Sequence, residues 1–384
     1  MIRQTWAIFY DAYRELNAKR LFWFVLAVSG LVVAAFAAIG INEKGITVLW
    51  WQLELFGVTS DVLPPEKLYK AMFVQFGIGF WLSWLAMILA LVSTAGMIPE
   101  FVASGSIELV LSKPVGRLRL LLTKFAAGLL FVALQVSVFS VACFLVIGIR
   151  GGAWEPGLLV AVPLVVLVFS YLYSVCVVIG LLTRSTIATL LLTLLFWFLV
   201  FAVNAADGLV LQGREANAMW LERLPGQIEA REQAARAKIE RQRAEGDEAR
   251  AEPTDEELLA VEPRLADLRE RLQRAERNRG RWEAGALAVW AVKTALPKTG
   301  ETVEILNRTL KDRADLEERD RAAAGPPAEL GQMAGPFGVD QRALAARVEK
   351  ALHARSVWWV IGTSLAFEAV MLGIGAWIFC RRDF

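Results

Sequence analysis

Residues 118–149, LRLLLTKFAAGLLFVALQVSVFSVACFLVIGI, decide the fold. A membrane-crossing helix needs about 20 mostly apolar residues. This run exceeds that and is long enough to tilt or to begin outside the bilayer. Five further runs of the same character lie at about 21–41, 71–97, 157–182, 186–206 and 357–380. Over 384 residues the chain is 56% hydrophobic with 14 Trp, and its mean hydropathy is +0.46. A soluble domain of this size has no use for so much clustered apolar sequence. The reading is an all-α polytopic membrane protein with six transmembrane helices.

The first run is a span rather than a cleaved leader. At 21–41 it is longer than an h-region of about 7–15 residues, and some 20 residues precede it. Those residues place Ile2, Trp6, Phe9, Tyr10, Tyr13 and Leu16 at helical spacing among Arg3, Arg14, Lys19 and Arg20. Rings and cations together suit a headgroup-level elbow helix. Between the first two runs, Trp50 and Trp51 suggest a short surface helix around 46–56, stopped by Pro64 and Pro65. Arg150-Gly151-Gly152 reads as a turn, Pro156 as a first-turn residue of the fourth span, and Leu182–Ser185 as a tight turn into the fifth, which closes near Asn204. Bases in short loops mark the cytoplasmic side. Arg3, Arg14, Lys19, Arg20, Lys113, Arg117, Arg119, Lys124, Arg184, Arg381 and Arg382 share one side if both termini are cytoplasmic.

The polar region then falls on the other side, as an insertion at 207–356 between spans five and six. The transmembrane part is 1–206, and 357–384 is the sixth span with its tail. Leu258, Val261, Leu265, Leu268, Leu272 and Ala275 step 3-4-3-4-3, an a/d seam. Leu221, Leu224, Ile228, Ala235 and Ile239 form a weaker one, and the stretch 246–254 with Pro253 breaks the helix between them. This predicts a helical hairpin over about 215–281, paired within itself or across a dimer. Trp282–Leu296 is apolar but too short to span. It is read as a helix at about 282–297, lying on the membrane surface or re-entering the bundle. A helix over 301–320, a Gly/Pro-rich linker over 322–338 and an amphipathic helix over 339–355 lead to the last span.

Several chemistries find no support. Net charge is +2 and the acids and bases of the insertion nearly balance, which points to solvated helix faces rather than a nucleic-acid surface. Cys143, Cys176 and Cys380 have no spacing for a disulfide framework or a zinc site. His353 is the sole His and reads as a surface residue. No GxxxxGK[ST] loop occurs, so the chain has no phosphate loop of its own. Glu368, within SLAFEAVML in the last span, is the intramembrane acid. Such a group faces a pathway, a partner helix or a dimer contact, and Gln75 and Gln135 are its candidate partners. Gly77, Gly79 and Gly128 permit close helix approach.

Between the second and third runs lies PEFVASGSIELVLSKPVGRLRLLLTK, residues 99–124. Pro114 cannot continue a helix and holds Lys113 extended, so the segment reads as a short helix, a rigid turn and then a span. Glu100, Gly105, Ile107, Glu108, Leu111, Ser112, Lys113, Pro114, Val115, Arg117 and Lys124 resemble the cytoplasmic segment between spans two and three of ABC-2-type transporter permeases. The elbow, the six spans, the Leu296–Thr299 stretch and the Arg-Arg-Asp-Phe end resemble the single-polypeptide bacterial half-transporters found with nitrous-oxide-reductase maturation and gliding motility. The resemblance covers about 1–206 and 282–384, and the hairpin departs from it.

The resemblance implies a non-enzymatic transport subunit in the bacterial inner membrane. It would act as a homodimer, docked on a separate ABC ATPase that carries the ATP and Mg. The chain itself would need no cofactor or metal. Glu100, Gly105, Ile107, Glu108, Leu111, Lys113, Pro114 and Arg117 would then couple ATP hydrolysis to export. The alternative is a mechanotransmission protein whose outer hairpin drives or recruits a periplasmic partner without moving a solute.

Overall fold

The computed structural model describes Arg14, 20–42, 45–48, 51–53, 65–103, 116–152, 154, 156–245, 252–305 and 338–381. The expected elbow over 1–20 lies outside these residues except for Arg14 and Arg20. So does the 104–115 stretch that carries Gly105, Ile107, Glu108, Leu111, Lys113 and Pro114.

The architecture is helical and polytopic. Helix α1 (Arg20–Ala38) leads into three strands, β1 (Ile39–Asn42), β2 (Gly45–Val48) and β3 (Trp51–Leu53). They form an antiparallel meander with Ile39 opposite Val48 and Ile46 opposite Leu53. This corrects the expected surface helix around 46–56. Ile46, Thr47 and Val48 are β-branched and stiff at χ1, which favours a pleated ribbon over a helix. The next helix starts at Pro65, which needs no amide partner in a first turn. It runs as α2 (Pro65–Met72), a π-helical stretch Phe73–Leu85 and α3 (Ala86–Thr94). There follow α4 (Met97–Ala103), α5 (Arg117–Gly151), a 3-10 turn Pro156–Val160, α6 (Ala161–Thr183), α7 (Thr186–Glu245), α8 (Asp255–Val261), α9 (Arg264–Ala295), α10 (Gln341–His353) and α11 (Val357–Arg381). Gly152 ends α5 and Arg184 ends α6, both with positive φ, at 73° and 52°.

Among the described residues five helical stretches are long and apolar enough to cross a membrane: Leu68–Val102, Arg117–Gly151, Pro156–Thr183, Thr186–Arg243 and Val357–Arg381. Helix α1 is shorter, at 19 residues. Two boundaries differ from the sequence reading. Helix α7 does not stop near Asn204 but continues to Glu245, with Pro225 inside it. The apolar 282–296 run is not a separate helix but the end of α9, since Gly280 and Gly285 alone do not interrupt a helix.

The chain divides into two compact units, the first comprising 1–201, 295–323 and 357–384 and the second 202–294 and 324–356. In the first, α6 is the hub. Its apolar window is 78% buried, against 17% for that of α11, so α6 is the helix the others pack around. Its Tyr173 ring lies between Phe125 and Phe169, with centroids 5.3 and 5.2 Å away. The same ring covers Gly128 of α5. A Cβ there would stand 2.6 Å from Tyr173 Cε1, and a ring stacked on both sides has no room to yield. Gly128→Ala is therefore expected to cost about 1–3 kcal/mol through overpacking, read as a lowered midpoint in thermal unfolding of the detergent-solubilised protein.

In the second unit, α7 pairs with α8 and α9 as an antiparallel hairpin. Ile228, Ala235 and Ile239 bury against Leu258 and Leu265, with Val261, Leu268 and Leu272 half-buried around them. The two seams thus close on each other within one chain. Arg231–Glu262 at 2.6 Å, Arg269–Glu232 at 2.6 Å and Arg243–Glu257 at 2.7 Å cross between the arms. Thr254 and Glu257 form a capping box at the start of α8. The Thr254 amide, then Arg243, hold the Glu257 carboxyl below its ordinary value. A second cluster joins Ala216 and Met219 of α7 to Val339 and Leu344. Asp207 accepts from Lys293 of α9 at 2.5 Å and from Arg355 after α10 at 2.8 Å.

Candidate functional site

Ser364 and Glu368 are one turn apart on α11, so they share a face. That face meets Ser170 and Tyr171 of α6. The 298–305 segment of the same unit lies against it as well. Glu368 is 9% exposed, and its Oε2 is 2.8 Å from Ser170 Oγ. Ser170 Oγ is also 2.8 Å from the Leu167 carbonyl. A hydroxyl has one hydrogen to donate. Ser170 is the donor in both short contacts, so its single hydrogen is shared between the Leu167 carbonyl and the Glu368 carboxyl. The pair holds α6 and α11 together through one buried polar contact.

One turn earlier on α11, Ser364 Oγ donates to the Val360 carbonyl at 2.8 Å and accepts from the Lys298 amide at 2.9 Å. Lys298 follows Pro297, and Thr302 continues the local helix by donating its hydroxyl to the Lys298 carbonyl at 2.8 Å. The Lys298 side chain is fully buried. Its Nζ lies 4.4 Å from the centroid of the Trp359 ring, a cation–π contact, and 3.5 Å from the Leu296 carbonyl. The Tyr171 hydroxyl is buried beside Thr302 and Ser364, without a normal hydrogen bond to either. Hydroxyls, a carboxyl and an ammonium thus line one seam of the bundle. The arrangement can hold a proton or fix helix spacing.

Sequence reasoning named Glu368 but not its partner. Gln75 is exposed. Gln135 is buried elsewhere, lining a cavity of about 10 Å³ with Ser29, Trp81, Met87 and Phe139. Gln135 Nε2 and Trp81 Nε1 have no acceptor there among the described residues. The partner is Ser170 instead, because a hydroxyl two turns into α6 faces α11 directly. Ser170, Tyr171, Ser364 and Lys298 were missed. The one signal for them was Ser364 at i−4 from Glu368, together with Lys298 in the Leu296–Thr299 stretch. His353 is only half-buried, with Nε2 4.0 Å from Glu349.

Of the eight residues expected to couple to an ATPase, Glu100 and Arg117 are described. Glu100 is in the first turn of α4, with its carboxylate over Gly96. The Pro99 ring seats on α6, where a Cβ at Gly180 would meet Pro99 Cδ at 3.1 Å. Arg117 opens α5, and its Nη1 donates to the Cys380 carbonyl near the end of α11 at 3.2 Å. Lys124 is buried with its ammonium 5.1 Å from the Phe101 ring centroid. The two flanks of the 104–115 stretch therefore rest on α6 and α11, the same helices joined by Ser170 and Glu368. No known protein family, curated protein or solved structure matches this chain.

Proposed function

We propose that the chain is the membrane-spanning permease subunit of an ATP-driven transporter of the ABC-2 type. A separate ATPase subunit supplies the energy. In this reading α1 is the first of six spans, an elbow helix precedes it, and both termini are cytoplasmic in a bacterial inner membrane. Two copies form the working unit. The observation that supports it best is the anchoring of the segment around 99–117. Its ends bear on α6 through Pro99 and Gly180, and on α11 through Arg117 and the Cys380 carbonyl. A push on that segment reaches both helices that enclose Glu368. The test is capture of an ATPase on the tagged chain from native membranes, with its hydrolysis measured against variants of the segment.

A second reading, mechanotransmission without a solute, is favoured by the hairpin. Helix α7 passes without a break from its apolar run into the hairpin arm, and the cross-arm ion pairs stiffen that arm. Trp282 packs on Gly213, so removing 215–281 closes the chain where its ends already meet. That deletion is expected to leave membrane insertion and ATPase stimulation intact. If the hairpin carries the output, cells with the deleted form show the phenotype of losing the whole gene. If export is the output, they do not. Failure of the deleted protein to insert contradicts the division into transmembrane part and insertion.

A further inference from the structure

The charge pattern of the α7–α9 pair changes at one level. From Arg264 to Glu283, 11 of 20 residues of α9 are charged, whereas from Ala284 to Ala295 Lys293 alone is. On α7, Asp207 is the sole charge between Thr186 and Gly213, and Arg214 and Glu215 begin the polar part. The pairing register aligns the two switches. The Trp282 ring packs on Gly213, Gly285 sits beside Val210, and Asn217 Nδ2 donates to the Ala275 carbonyl at 3.0 Å. The two charges on the apolar side are turned toward each other, Lys293 being bound to Asp207. What remains outward is apolar: Leu287 is 67% exposed, Trp290 53%, Val292 52% and Leu209 61%.

A soluble hairpin has no reason to shed its charges on both arms at the same height. We infer that the apolar end of this pair, residues 284–295 of α9 with 203–211 of α7, is inserted among the acyl chains of one membrane leaflet. The level of Gly213 and Trp282 then lies at the headgroups. Twelve helical residues span about 18 Å, too short to cross a hydrocarbon core of about 30 Å but enough to enter one leaflet. The occupant is lipid rather than a second protein because the charge-free surface continues the apolar run of α7 without interruption. Asp207, Lys293 and Arg355 form an ion cluster that lets charged groups sit below the headgroups while satisfying one another. The inference goes beyond the coupling proposal and does not depend on it.

The test places nitroxide labels on the full-length protein carrying Cys380→Ser, reconstituted in phosphatidylcholine–phosphatidylglycerol nanodiscs. Labels go singly at Leu287→Cys, Trp290→Cys and Leu209→Cys, with Arg279→Cys as the aqueous reference. Collision with oxygen is expected to exceed collision with a water-soluble nickel chelate several-fold at 287, 290 and 209, and the order to reverse at 279. Chelate access at 287 and 290 equal to that at 279 overturns the inference in favour of a solvated surface. Exclusion of both reagents at 287 and 290 overturns it in favour of a protein partner. Leu209→Cys repeats the test from the other helix should a substitution in α9 disturb folding.

Discussion

Replacing Glu368 by Gln is expected to leave the protein folded and monodisperse, with a thermal midpoint within a few degrees of the parent. Glu368→Lys is expected to lose most of its folded yield. The Glu368 carboxyl meets Ser170 Oγ at 2.8 Å while that hydroxyl also serves the Leu167 carbonyl. A Gln amide keeps an oxygen that can accept from Ser170, has nearly the same shape and is neutral. Lys introduces a charge within a spanning helix, at about 2.5–3.5 kcal/mol on insertion scales. Lys also offers no acceptor to the Ser170 hydroxyl, which keeps the Leu167 carbonyl alone. The charge cost by itself is a large share of the roughly 5–15 kcal/mol that separates folded from unfolded protein. Size-exclusion profiles and thermal unfolding of the three proteins check this. Equal damage from Gln and Lys would show that the carboxylate form is needed for folding. If Gln preserves folding but abolishes partner-stimulated turnover, the carboxyl is used as a titrating group rather than as a tie between α6 and α11.

The second large effect is expected in the 104–115 stretch. Under the proposed coupling, Ile107→Arg and Glu108→Lys reverse the character of an apolar and an acidic residue that would meet the ATPase. Each is expected to lower stimulation of the bound ATPase at least tenfold while the membrane protein keeps its thermal midpoint. A tenfold loss corresponds to about 1.4 kcal/mol, a modest demand on one buried apolar anchor or one charge contact at an interface. Arg117→Ala probes the same lever from its other end. Arg117 donates to the Cys380 carbonyl, so its removal is expected to weaken stimulation without detaching the ATPase. Separate measurement of binding and turnover distinguishes a docking residue, which loses both, from a transmitting one, which loses turnover alone.

Much of the architecture was legible because membrane helices announce themselves by length and hydropathy alone. The runs at 118–149, 157–182 and 357–380 correspond to α5, α6 and α11 within a few residues. The hairpin was legible for a related reason. A 3-4-3-4 seam must bury against another apolar face, within the hairpin or across a dimer, and the fold takes the first course, with Leu258 and Leu265 opposite Ile228, Ala235 and Ile239. Boundaries were less legible where no breaker marks them. The apolar 186–206 run and the polar start of the hairpin are one helix, and hydropathy falls without the backbone turning. The strands at 39–53 escaped because Trp50 and Trp51 suggested an interfacial helix, while the β-branched triplet Ile46–Val48 carried the weaker signal that prevailed.

The site was half legible. A lone acid in an apolar span stands out in any reading, so Glu368 was found. Its partner was not, because Ser170 is a small polar residue in a run where serines often satisfy their own backbone, as Ser174 does with the Tyr171 carbonyl. Only the packing of α11 on α6 separates the two cases. Lys298 was passed over for the opposite reason. Beside Pro297 and Gly300 it reads as a loop cation, and burial over the Trp359 ring needs a tertiary contact that no local pattern encodes.

The central claim, that a separate ATPase drives this chain through the segment around 99–117, is tested most directly by one measurement. The tagged full-length protein is purified from its native membranes, and ATP hydrolysis by the captured complex is compared for the parent and Ile107→Arg. The expected result is a co-purifying ATPase of the ABC class, with vanadate-sensitive hydrolysis that falls at least tenfold in the variant while both membrane proteins remain folded. Capture of no ATPase, or the same turnover in parent and variant, would contradict the claim.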